Sequence, residues 1–274
     1  MIIIFKKYIH HLGIFIGILL FVGFNYVSYS GFRSYGFFNP NAGSFIALIG
    51  ASCFLFKDKK LNLVEKIILW FCILCVVTGH SRNTLAMLLI MVLFKYKLSP
   101  KLIAVGLFAM LFFVFVLPII GLEVEAVNRL VGTLDGSISM DREKQRMAAL
   151  WMIGQHMWDG NGFNFTNYGD AEFLTELGAH NGYLTTFEQM GCLFASIWFV
   201  VLFECLWRIR KLYRVDDLNV KRHFALVVAI IFAAMNEDIF VGVNNFTTNF
   251  FFMSLAILSF YQQQSKHDGQ VRIS

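Results

Sequence analysis

The chain has 274 residues, of which 57% are hydrophobic and only 15% charged, with a formal net charge of +5. Soluble domains carry about 25% charged residues, so these polar groups could not cover one globule in water. The composition excludes an ordinary soluble enzyme, a disordered chain and a collagen-like chain, and leaves an all-α polytopic transmembrane helix bundle.

Eight apolar runs follow in chain order, near residues 9–29, 42–56, 64–79, 83–95, 102–120, 183–207, 223–241 and 247–262. Each predicts a membrane span. The second and fourth are short, which predicts tilted, half-spanning or extended helices. The first also suits a signal peptide, with Ser28 and Ser30 as small residues before a cleavage point. Its long uncharged core favours a retained helix. Orientation follows from charge. With the N-terminus in the cytoplasm, 17 of the 23 Lys and Arg residues fall on inside segments, a positive-inside bias. An even number of spans returns the C-terminus to the same side. The basic residues cluster between apolar runs and form no continuous face, which argues against nucleic acid.

One external segment stands apart. Residues 121–181 form a 61-residue loop with nine acids and four bases. Within it, residues 141–158 predict an amphipathic helix that Gly160 and Gly162 terminate. Trp151 and Trp158, seven apart, would share a face and lay that helix along the outer bilayer surface.

The external arginines are the first candidates for chemistry. Arg33, Arg82, Arg142 and Arg146 all fall on the external side, where guanidinium forks can hold phosphate. Snorkelling to the interface, or pairing with loop acids, is the competing reading. Arg82 is the sole base of its turn, and Arg142 and Arg146 lie one helical turn apart. His180 can accept a proton from an attacking hydroxyl, or simply bond a carbonyl at the interface. Asn181 could orient a sugar hydroxyl or the imidazole. His10, His11, His223 and His267 lie at the cytoplasmic side and read as structural. No metal motif is present, and no cofactor is implied. The five cysteines, including the C-x-x-C of Cys72 and Cys75, all fall in apolar runs and read as buried, inert thiols. Glu188, Glu204, Glu237 and Asp238, in or near spans, keep open a transporter of lipid-linked sugars.

Four stretches carry a family resemblance across residues 31–207. RSYGFFNPN, from Arg33 to Asn41, is similar to an R-x-x-G-x-x-N-P-N segment. TGHSR, from Thr78 to Arg82, is similar to a T-x-S-R turn. The stretch from Arg142 to Gly162, closing on DGNGF, resembles an Arg-led loop helix ended by G-x-G. HNGYL, from His180 to Leu184, with Gly191 downstream, resembles an H-N-x-Y-L motif followed by a glycine. Together they resemble the O-antigen ligase and polymerase family of bacterial membrane glycosyltransferases.

Three departures stand out. Arg146 occupies a position where the family often has Trp, Gln189 aligns with a usual acid (Glu188 lies one place earlier), and the chain has fewer spans than most members. The resemblance implies residence in the bacterial inner membrane and an undecaprenyl-pyrophosphate-linked glycan as donor. It implies that Arg82 and Arg142, helped by Arg33 or Arg146, hold the pyrophosphate, with His180 as base. Asn181 and Tyr183 would contact the substrate. The acceptor would be a second lipid-linked glycan in an O-antigen or capsule polymerase, or lipid A-core or a protein in a lipopolysaccharide ligase. Membrane lipid, a chain-length regulator and a flippase are the expected partners. An inactive chain lacking some N-terminal spans is a further alternative.

Overall fold

The computed structural model describes residues 2–24, 28–30, 33–35, 40–78, 81–96, 139–163, 179–240 and 246–267. The expected span at 102–120 lies outside them. Eight α-helices are described: α1 (Ile2–Phe24), α2 (Pro40–Leu55), α3 (Leu63–Thr78), α4 (Arg82–Tyr96), α5 (Ser139–Gln155), α6 (Gly182–Ile209), α7 (Leu218–Ala233) and α8 (Phe246–His267). A short antiparallel hairpin, β1 (Ser28–Ser30) and β2 (Arg33–Tyr35), pairs Tyr29 with Ser34. A 3-10 turn, Arg210–Arg214, follows α6. The architecture is all-α, since three-residue strands form no layer.

The helices begin where side chains can satisfy the unpaired N–H groups of the first turn. At α3, Asn62 and Glu65 form a reciprocal box. Glu65 N–H donates to Asn62 Oδ1 at 2.9 Å, and Asn62 N–H donates to Glu65 Oε2 at 3.1 Å. Lys57 Nζ pairs with the same carboxylate at 2.5 Å. Ser81 caps α4, accepting from Thr84 N–H at 3.4 Å and from the Thr84 hydroxyl at 2.9 Å. Asp217 caps α7, accepting from the N–H groups of Asn219 and Val220. That cap starts α7 at 218 rather than 223, and the helix ends at Ala233 rather than near 241. Asn236, Glu237 and Asp238 then fall in the turn that follows, off the helix.

The chain divides into two compact units, residues 1–95 with 197–274, and residues 96–196. In the first, α2 packs against α1 and α3, and α8 packs against α7. Residues 44–54 of α2 are buried without interruption, so this helix is enclosed on all sides. Small residues permit the close approach of its neighbours. A Cβ on Gly17 of α1 would lie 2.4 Å from Ile68 Cγ2 of α3, and one on Gly13 would meet the Phe54 ring at 2.7 Å. Trp198, Phe240 and Phe251 add a chain of ring contacts at 5.3 and 5.6 Å.

Helix α7 is buried along most of its length, including Lys221, Arg222 and His223. Arg222 is 2% exposed. Its Nη2 donates to Asn219 Oδ1 and lies 2.8 Å from His223 Nε2. His223 Nε2 therefore accepts, and its Nδ1–H donates to Ser254 Oγ of α8 at 3.1 Å. Asn219 Nδ2 in turn reaches the Tyr261 hydroxyl of α8 at 3.3 Å. Burial of such groups is tolerable only when they are paired. His223 is structural, as expected, and Arg222 is an internal bonding group.

Residues Gly182–Arg214 are long and apolar enough to cross a membrane. Only 17% of their apolar window is buried, unlike the core helix of a soluble protein. Phe194, Ile197, Val200, Val201 and Phe203 are all exposed. Trp207 and the basic run from Arg208 follow, and the Arg210 guanidinium stacks 3.5 Å over the Trp207 ring. Helices α2 and α4 have 16 and 15 residues, short of the ~20 that a hydrocarbon core requires.

Replacing Gly17 by Leu forces α1 away from α3. The expected loss is about 1–3 kcal/mol, seen as a lower thermal midpoint of the purified protein.

Candidate functional site

The second unit contains an interlock between a loop and a broken helix. Helix α6 is interrupted at Gly191, whose φ of 70° and ψ of 166° are not helical. A break there deprives the Glu188 and Gln189 carbonyls of their helical donors, and the Cys192 N–H of its acceptor. The loop after α5 supplies all three partners. Asn161 N–H donates to Glu188 O at 2.7 Å, Gly162 N–H to Gln189 O at 3.1 Å, and Cys192 N–H to Met157 O at 2.6 Å.

Only glycine fits at the crossing. A Cβ on Gly160 would sit 2.4 Å from Gln189 O, and one on Gly191 would sit 2.4 Å from Trp158 O. Gly160 and Gly191 also hold positive φ, 71° and 70°, which glycine adopts without steric penalty. The G-x-G and the downstream glycine, some thirty residues apart in sequence, thus form one structural feature.

The same unit holds the histidine. His180 is half-buried with φ of 45°, the one non-glycine residue at positive φ among the described residues. That conformation costs on the order of 1 kcal/mol. It is held by the next residue, since Asn181 Oδ1 accepts from the N–H groups of Tyr183 and Leu184, both at 3.1 Å. Asn181 is therefore the N-cap of α6, and its amide oxygen serves the helix rather than a substrate. Tyr183 is half-buried in the first turn. Imidazole, cap and Tyr183 are thereby grouped at one helix start.

Arg142 and Arg146 both lie on α5, one turn apart. Arg146 is exposed, and the Arg142 side chain lies outside the described atoms. Along α5, Gln145, Ala148, Ala149 and Met152 are buried, while Met147, Leu150 and Trp151 form an exposed apolar stripe. Trp158 is 69% exposed but sits in the turn beyond Gln155. The seven-residue spacing thus does not place the two tryptophans on one helix face, because the helix ends three residues before Trp158.

In the first unit, Arg82 is the opening residue of α4, directly after the Ser81 cap, and Arg33 opens β2. Both side chains lie outside the described atoms, as does all of His80. Thr78 ends α3, its hydroxyl donating to Leu74 O at 2.9 Å. Asn83 Nδ2, beside Arg82, donates to Glu237 Oε1 at 3.2 Å. Glu204 is an exposed partner of Arg208 at 2.7 Å. No group of three or more His, Cys, Asp or Glu capable of holding a metal is gathered among the described residues. All five cysteines are free thiols.

No protein-family model and no curated protein sequence matches the chain.

Changing Gly191 to Ala inserts a methyl into the Trp158 carbonyl and strains the backbone. We expect a loss of about 2 kcal/mol or more and faster proteolysis between residues 157 and 163. Gly154, in α5, has open space around its Cβ position. Gly154→Ala should raise stability by about 0.5–1 kcal/mol, which makes it the matched control.

Proposed function

We propose that the chain is a polytopic membrane glycosyltransferase. It would elongate O-antigen or capsular polysaccharide from an undecaprenyl-pyrophosphate-linked glycan on the external face of the bacterial inner membrane. The observation that carries this reading is the convergence of its short motifs on structural necessities. G-x-G and Gly191 form the interlock, H-N places His180 against the α6 cap, and S-R places Arg82 at the α4 cap.

The resemblance gives these residues the following chemistry. The acceptor hydroxyl oxygen attacks the anomeric carbon, its proton passes to the His180 imidazole, and the bond from that carbon to the pyrophosphate oxygen breaks. The leaving pyrophosphate keeps the electron pair. Its growing charge is met by guanidinium groups, with Arg82 and Arg142 as the principal pair and Arg33 or Arg146 assisting. A helix start also presents N–H groups and a partial positive charge, which favour an anion at the Arg82 end of α4.

The membrane reading rests on α6 and on the apolar runs. The 17:6 partition of basic residues supports both termini in the cytoplasm. The exposed stripe Met147, Leu150 and Trp151 suits a helix lying against lipid, with the donor's polyprenyl chain in the adjoining layer.

The test is chain extension by the purified protein in lipid nanodiscs, with undecaprenyl-pyrophosphate glycan and EDTA present. Wild type should extend chains. Arg82→Ala should lower the rate about 10²–10³-fold, and His180→Ala about 10²–10⁴-fold. Folded variants that retain full activity would remove both residues from the site, and transfer that stops with EDTA would refute a metal-independent reaction.

A further inference from the structure

Two buried amides in the second unit have unpaired atoms. Gln189 is 4% exposed, and neither its Oε1 nor its Nε2 has a hydrogen-bond partner. Gln145, on the buried face of α5, is 6% exposed with its Oε1 unpaired. Native folds pair the large majority of such groups, because a buried amide without a partner opposes folding. An orphaned one therefore points to a ligand or water that completes it.

The Gln189 carbonyl is pinned by Gly162 N–H at 3.1 Å, at the break in α6. On the same stripe of the helix, Thr186 Oγ1 donates back to Gly182 O at 2.6 Å. The interlock thus fixes the backbone that carries the unpaired amide, roughly 10 Å along α6 from its first residue, at 1.5 Å per residue. This is on the helix that His180 precedes.

The chemistry of the side chain selects the ligand. A carboxamide offers two N–H donors and a carbonyl acceptor and carries no charge. Its oxygen would face a phosphate unfavourably, whereas a sugar hydroxyl or acetamido group can both donate to it and accept from it. We propose that Gln189, with Gln145, recognises the hydroxyl-bearing rings of the glycan, while the arginines hold the pyrophosphate. The assignment rests on the glycosyltransferase reading and names the sugar-recognising groups of its site. Donor and acceptor glycan share this chemistry.

The experiment measures thermal midpoints of the full chain in nanodiscs with three probes. These are undecaprenyl pyrophosphate alone, the same lipid carrying the source strain's glycan, and that glycan released by mild acid. In wild type the glycan-bearing lipid should raise the midpoint beyond the bare lipid. Gln189→Leu should abolish that increment, corresponding to at least a tenfold loss of affinity, and keep the response to bare lipid. Without ligand, Gln189→Leu should melt above wild type, because the orphaned amide is gone. Gln145→Leu provides a second variant should the first not fold, and should reduce the increment likewise. If the released glycan also stabilises wild type and loses its effect in the variant, the groups read the sugar rings without the lipid. If only the lipid-linked form does, they read a sugar held next to the pyrophosphate.

No glycan increment in wild type, or a full increment in Gln189→Leu, would overturn the proposal. So would a lower midpoint of unliganded Gln189→Leu with the increment intact, since the amide would then bond a buried water. Failure of the transferase reading shows separately, as a bare-lipid response that is absent or insensitive to Arg82→Ala.

Discussion

A helix that breaks in the interior of a fold must find new partners for the main-chain groups it releases. Each such group left buried and unpaired costs about 1–3 kcal/mol. At Gly191 the break frees two carbonyls and one N–H, and the loop from Met157 to Gly162 binds all three. The tolerance is narrow, because backbone meets backbone at Gly160 and Gly191 with no room for a Cβ. This one crossing ties the end of α5 to the middle of α6. It fixes the position of Gln189 and leaves the first turns of α6, with His180 and Tyr183, on a braced segment.

The same requirement operates on side chains in the first unit. Helix α7 carries Arg222 and His223 into a buried position, and Asn219, Ser254 and Tyr261 supply their partners. Loss of one member would strand the others, since a satisfied buried network becomes costly when half of it is removed. Close packing comes from the opposite device, the absence of side chains. Gly13 and Gly17 of α1 allow Phe54 and Ile68 to approach within distances that a Cβ would forbid.

Much of the helical frame was legible from hydrophobicity alone. Seven of the eight apolar runs coincide with described helices, and α5 falls close to the expected 141–158. The errors lie where a local polar signal outweighed apolar length. Asp217 starts α7 five residues early, and the polar turn at Asn236–Asp238 stops it short of 241. Asn62 with Glu65, and Gly13 with Gly17, were signals available in the sequence and not used. The burial of Arg222 was not legible, because a basic residue beside an apolar run reads equally as a boundary marker. Nor was the interlock, since its partners are thirty residues apart and bond through main chain, which leaves no trace in side-chain chemistry beyond the glycines.

The sequence names candidate residues for a site but not their arrangement. Ser81 and Asn181 show why such short motifs can carry chemistry. Each is a cap that fixes the backbone of its neighbour, Arg82 after one and His180 before the other. A cap holds the first turn of its helix in one conformation, so a residue joined to it loses little further freedom when it meets a ligand. His180 illustrates the balance. Its left-handed backbone is unfavourable by itself, and the capping bonds of Asn181, each about 1 kcal/mol, can hold it there. In the proposed reaction the backbone that carries the imidazole would therefore be set before substrate arrives, and Asn181 would contribute by positioning it, with its amide oxygen committed to the helix.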